Sequence, residues 1–184
     1  MDIKERLIGK RLSSVRRILA VVSGKGGVGK TIVATCLALA GAERGQRVGF
    51  LDLDFTNPNA HVVLGLDVRR IKPEEEKGVI PPEVHGVRFM SMAFYADKAL
   101  ALRGISVEES FKEVLAITIW PLTDLLIVDM PPGFGDQLLN LLTYVRRVRG
   151  LAVTTPDPLS LLALERLFEL PSKDCLLYTS PSPR

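Results

Sequence analysis

The eight residues Gly24-Lys25-Gly26-Gly27-Val28-Gly29-Lys30-Thr31 constrain this chain more than any other stretch. They satisfy the spacing G-x-x-x-x-G-K-[ST] and stand between an apolar run, Ile18 to Ser23 (ILAVVS), and a helical pattern, Thr31 to Ala42. Glycine here lets the backbone turn tightly and point successive N–H groups into one concavity. A helix that starts directly afterwards adds the positive end of its dipole. Such a nest is shaped for phosphate, with Lys30 placed to reach the β- and γ-phosphates of a nucleotide and Thr31 to offer its hydroxyl to Mg²⁺. A Gly-rich turn that meets the spacing by accident is the alternative, and the strand-before, helix-after context argues against it.

The rest of the chain alternates short apolar runs with helical patterns, the signature of an α/β fold built on a mostly parallel sheet with helices on both faces. Arg47 to Asp52 (RVGFLD), Val87 to Met92 (VRFMSM), Asp124 to Asp129 (DLLIVD) and Leu151 to Thr154 read as further strands. In the first helix Ile32, Cys36 and Leu39 share a face, and Cys36 is expected there as a small buried hydrophobe. Ser106 with Glu109 forms a capping box ahead of Val107, Phe111, Val114 and Leu115 at helical spacing. Leu138, Leu141, Leu142 and Val145 mark another helix, and Asp157-Pro158 makes the cap and first turn of one that Pro171 ends. The charged, Pro-rich stretch Lys72 to His85 is expected as a long surface excursion.

Composition narrows the function class. Twenty-four Lys and Arg against 21 Asp and Glu leave a formal charge of +3, too mild to imply nucleic-acid binding. With 47% hydrophobic residues, the 184-residue chain has enough apolar material for one sizeable core. Two cysteines make no disulfide framework and suit a reducing cytoplasm. The longest apolar stretch, Ile32 to Ala42, is interrupted by Thr35 and too short to span a membrane. Residues 1–17 carry Ile3, Leu7, Ile8, Leu12 and Val15 near helical spacing among basic residues, as in a solvated helix packed by one stripe; a membrane-surface or DNA contact is the other reading.

In open α/β sheets ligands sit beyond the carboxyl ends of the strands, so the acids there are candidates. Asp129 ends the most apolar strand, where an aspartate holds Mg²⁺ or one of its waters; capping the next turn is its other reading. Asp52 ends the second strand and Asp54 lies just past it; Asp52, the less exposed of the pair by position, is expected only to help shape the site. Pro131 to Gly135 form a stiff turn that can carry N–H groups to the γ-phosphate side, and Asp136 suits an N-cap for the next helix.

From about Arg17 to Leu170 the chain resembles the Mrp/ApbC group of P-loop ATPases, which serve as iron–sulfur cluster carriers within the MinD/ParA-like branch with a deviant Walker A loop. The resemblance rests on SGKGGVGKT (Ser23 to Thr31), LDLD with Pro58 behind it, Met90-Ser91-Met92, Arg103-Gly104 and DMPPGFGD (Asp129 to Asp136). The last is the most specific, since partition and septum-site relatives differ after the acid. The resemblance implies a slow Mg·ATP hydrolase that sandwiches nucleotide in a homodimer through its nucleotide face. Gly24, Lys25, Gly26, Gly27, Val28, Gly29, Lys30 and Thr31 would then bind the cofactor, and Lys25 would cross to the partner's nucleotide. Asp54 would orient the attacking water, with Thr31 and Asp129 on Mg²⁺ and Asp54 a further candidate for the metal. Implied partners are an iron–sulfur scaffold and recipient apoproteins, in the cytoplasm, with no nucleic acid. Phe134, Asn57-Pro58-Asn59 and Ile105 depart from the group's Thr, Gly-Pro-Ser and Pro, and bear on the switch rather than on ATP binding. A positioning ATPase working at a membrane surface or on DNA is the alternative.

The group's Cys-x-x-Cys, through which two subunits would bridge a [4Fe–4S] cluster, is not in this sequence. Cys175 to Arg184 (CLLYTSPSPR) matches neither helix nor strand period and resembles the translated read-through of a transposase sequencing adaptor; a disordered Ser/Pro tail is the other reading. The expected division is therefore a basic helical segment (1–17), a C-terminally truncated ATPase domain (18–174) and a non-native tail (175–184). The cluster motif is expected beyond the cut, and Leu151 to Thr154 is expected to risk an uncovered sheet edge.

Overall fold

A computed structural model of the protein describes residues 3–95, 106–133, 136–145, 148–168 and 176–178. Five parallel strands form the centre: β1 (Ile18–Val22), β2 (Val48–Asp52), β6 (Val87–Ser91), β7 (Leu125–Asp129) and β8 (Val148–Ala152). With β5 (Glu83–Val84) antiparallel at one edge and β9 (Leu176–Tyr178) parallel at the other, the order is β5–β6–β2–β7–β1–β8–β9. All five residues of β2 are buried, as a strand covered on both faces requires. The cover differs by face. A side chain at Gly41 of α2 (Lys30–Glu43) would meet Val48 and Leu125, whereas one at Gly49 would meet Trp120 and Leu126 on the opposite side.

The helix α2 turns a different face inward from the one expected. Ala34, Thr35, Ala38 and Gly41 are buried, while Ile32 is 57% exposed and Cys36 is exposed. Small side chains decide this: they let the helix approach so closely that a Cβ on Gly41 would lie 3.0 Å from Val48. Because the helix is apolar all round, hydrophobic spacing could not select the face.

The helix α1 (Ile3–Leu12) packs on α4 (Val107–Ile117); Ile8 and Leu12 are its buried residues, and Ile3 and Leu7 are exposed. Lys4 reaches both Glu109 and Glu113 at 3.0 Å, which ties the basic segment to the domain. Ser106 caps α4 as expected, its hydroxyl accepting from the Glu109 N–H at 3.1 Å; Phe111, Val114 and Leu115 are buried and Val107 is exposed. Asp157 caps α6 (Pro158–Phe168), accepting from the Ser160 N–H at 3.0 Å. The helix α5 (Asp136–Tyr144) begins at Asp136, whose side chain lies outside the described residues, as do Arg103-Gly104-Ile105 and Phe134-Gly135.

Three further expectations are corrected. The strand expected at Leu151 to Thr154 starts earlier, because Val148, Arg149 and Gly150 pair with Ile18, Leu19 and Ala20. The excursion from Lys72 to His85 contains a small hairpin, β3 (Glu74–Glu75) with β4 (Val79–Ile80), and then β5 joins the main sheet. Leu176–Tyr178, expected without regular structure, pairs with Gly150 to Ala152, so β8 is not an edge. Cys175 and residues 179–184 lie outside the described residues.

Candidate nucleotide-binding site

The loop after β1 uses its glycines where the backbone needs them. Gly27 (φ 78°) and Gly29 (φ 87°) occupy left-handed conformations that L side chains adopt only with strain. Gly29 is the N-cap of α2 and no side chain caps that end, so the first-turn N–H groups face the loop. The turn after β7 abuts the same loop: the Gly133 N–H donates to the Ser23 carbonyl at 2.9 Å, and a Cβ on Gly26 would sit 4.0 Å from Pro132.

Three residues from the loop and from β7 converge. Lys30 Nζ donates to Asp129 Oδ1 at 2.5 Å and Thr31 Oγ1 to Oδ2 at 2.7 Å. Lys30 is 6% exposed and Asp129 wholly buried. Burial pushes the Asp129 carboxyl up from its ordinary value, against the opposing pull of Lys30 and Thr31; the Asp54 charge adds to the rise. Asp54 Oδ1 accepts from the Thr56 and Asn57 N–H groups at 3.2 and 3.0 Å, an Asx turn that fixes the carboxylate to its loop.

Asp52 is a strongly perturbed acid of the site. Burial pushes its carboxyl up to about 7, with hydrogen bonds from Asp54, Ser91 and Ala60 opposing and Asp129 reinforcing. Strand register explains the grouping: Val21, Asp129, Asp52 and Ser91 are consecutive partners across β1, β7, β2 and β6. Sequence reading noted Ser91 only within Met90-Ser91-Met92 and gave it no role at the site, because nothing in one strand reveals which residue of another lies opposite. It also left Asp157 as a helix cap only. Lys25, exposed in the loop, lies close enough to help hold the Asp157 carboxyl below the usual carboxylate range, after the larger effects of Ser160 and Thr155.

The donor set fits a magnesium nucleotide. Thr31 and Asp129 bring a hydroxyl and a carboxylate together, the one or two hard oxygen donors that Mg²⁺ takes from a protein beside phosphate. No cluster of three His, Cys, Asp or Glu suited to a metal held by protein alone occurs among the described residues. No helix among them is long and apolar enough to cross a membrane.

Comparison with known proteins agrees with this geometry. Residues 14–175 match the family model described as ParA: NUBPL iron-transfer P-loop NTPase. An iron–sulfur cluster carrier protein of Pseudomonas fragi is 42% identical over 162 residues, covering 86% of this chain and 56% of its own. One from Deinococcus radiodurans is 40% identical over 161 residues, covering 86% and 46%. The chain thus spans about half the length of the curated relatives it matches. Among solved structures, a nucleotide-binding protein of Archaeoglobus fulgidus in complex with ADP superposes with a TM-score of 0.72 at 30% identity, over 91% of this chain and 67% of that one. The cell division ATPase MinD of Pyrococcus furiosus shares the fold, with a TM-score of 0.58 at 21% identity over 88% and 69%. A phosphate-binding loop set against a buried aspartate, in a chain matched across nearly its whole length, places the protein in the ParA/NUBPL family of iron-transfer P-loop NTPases.

Proposed function

We propose that this chain is the ATP-binding and ATP-hydrolysing part of a cytoplasmic iron–sulfur cluster carrier. The observation that carries the reading is the convergence of Lys30 and Thr31 on Asp129 beneath an uncapped helix N-terminus. Lys30 and the first-turn amides of α2 would hold the β- and γ-phosphates, and Thr31 and Asp129 would hold Mg²⁺, which supplies charge neutralisation when bound. Asp54 would orient water toward the γ-phosphate. Lys25, exposed at the loop, would serve the nucleotide of a second copy of the chain docked on the nucleotide face. The cluster is cargo: Cys36 is the one free thiol among the described residues, and a [4Fe–4S] cluster needs four ligands. An iron–sulfur scaffold and recipient apoproteins would be the partners. The alternative of a positioning ATPase on a membrane or DNA rests on likeness of fold alone.

The test of hydrolysis is single-turnover phosphate release with Mg·ATP. Lys25→Ala should retain nucleotide binding and lose hydrolysis, and unaltered hydrolysis would remove its role toward a second copy. Carriage is tested on a chain of the relatives' length by anaerobic reconstitution with iron and sulfide, then transfer to an acceptor apoprotein. Failure to take up a cluster there would overturn the carrier reading and leave the ATPase reading standing.

A further inference from the structure

Two buried side chains outside the phosphate loop organise the segment that carries Asp54. Asp52 Oδ1 accepts from the Asp54 N–H at 3.1 Å, and Oδ2 accepts from the Ala60 N–H at 3.4 Å and from Ser91 Oγ at 3.2 Å. Ser91 Oγ in turn accepts from the Ala93 N–H at 3.1 Å. Asp52 is 1% exposed and Ser91 is fully buried. Ala60 opens α3 (Ala60–Val63), whose N-cap, Asn59, makes no side-chain cap. One carboxylate therefore holds both ends of the 54–60 connection. Since Asp54 Oδ1 is bonded to the N–H groups of Thr56 and Asn57, any displacement of the connection displaces the Asp54 carboxylate with it.

The hydroxyl of Ser91 is the external anchor of this clamp. Strand register places Ser91 directly opposite Asp52, so the donor is supplied by the sheet rather than by the connection it restrains. Without it, Oδ2 would keep only the long bond from Ala60, and the Ala93 N–H would lose its acceptor. We propose that Ser91 is a positioning residue for ATP hydrolysis, fixing Asp52, through it the 54–60 connection, and so the Asp54 carboxylate. The proposal rests on the reading of Asp54 as the group that orients water.

The experiment compares wild type, Ser91→Ala and Ser91→Thr in the full 184-residue chain. Hydrogen exchange at the Asp54 and Ala60 amides, read by NMR, reports the clamp independently of catalysis; it should accelerate at least about ten-fold in Ser91→Ala. In the same variant kcat should fall about ten-fold or more while KM stays within about two-fold, the pattern of a misplaced group rather than a lost binding contact. Ser91→Thr, which keeps the hydroxyl, should restore both readouts. Unchanged exchange in Ser91→Ala overturns the proposal, as does a rise in KM with kcat preserved. If wild type releases no phosphate, the hydrolysis reading fails, and exchange at the two amides decides the clamp by itself.

Discussion

Lys30 and Asp129 stand 99 residues apart in sequence, and their Nζ and Oδ1 meet at 2.5 Å with side chains 7% and 1% exposed. The pair joins the first turn of α2 to the end of β7. One contact thus does two jobs: it fixes the helix against the sheet, and it sets the spacing of the groups that face phosphate and metal.

Because the pair is buried, removing one member leaves an uncompensated charge. Lys30→Ala should abolish nucleotide binding measured by calorimetry and also destabilise the chain by about 3–5 kcal/mol in urea denaturation. The double variant Lys30→Ala/Asp129→Ala should cost less than the sum of the two singles. Additive costs would show that the two charges are not coupled.

Asp52 gives stability a pH dependence of known sign. Its carboxyl rises from 3.8 to about 7 on folding because burial disfavours the ionised form. The native state therefore binds the extra proton between these values, and the contribution of this group is full below about 3.8 and lost as pH rises through about 7. The stability of wild type relative to Asp52→Asn should accordingly decline from pH 4 to pH 8, about the interval those two values bracket. Parallel stability curves across that range would contradict the assignment.

Gly49 is fixed by Trp120. A Cβ there would lie 2.7 Å from Trp120 Cζ3 and 2.9 Å from Leu126 Cδ1. Gly49→Ala should lower stability by about 1–3 kcal/mol through overpacking, read as a shift in the urea midpoint. A neutral result would mean that the indole relocates freely.

Ser106 offers a smaller, cleaner effect. Ser106→Ala removes the acceptor for the Glu109 N–H and should cost about 1 kcal/mol, whereas Ser106→Asp should hold stability near wild type. Both are read from thermal midpoints, and equal losses would discount the cap.

Local chemistry was legible in the sequence; lateral chemistry was not. The phosphate loop, the strands ending in Asp52 and Asp129, and the caps Ser106 and Asp157 all depend on residues within a few positions of one another, and the structure has each where the spacing puts it. The inward face of α2 depends on how near the helix comes to the sheet, a property of Ala34, Ala38 and Gly41 together with Val48. The start of β8 depends on pairing with Ile18, and the hairpin within residues 72–85 on pairing between Glu75 and Val79. The meeting of Ser91 with Asp52 depends on the offset between two strands that a single chain pattern does not encode.

That offset has a consequence for how such a site can vary. Val21, Asp129, Asp52 and Ser91 form one rung across four strands. A strand cannot shift by a fraction of its pairing: the smallest step is one residue, about 3.3 Å, and it turns every side chain to the opposite face. The distances between these groups are consequently quantised. Mutation can change what a rung position carries but cannot tune its place by small increments, so fine adjustment is left to the connections that leave the sheet.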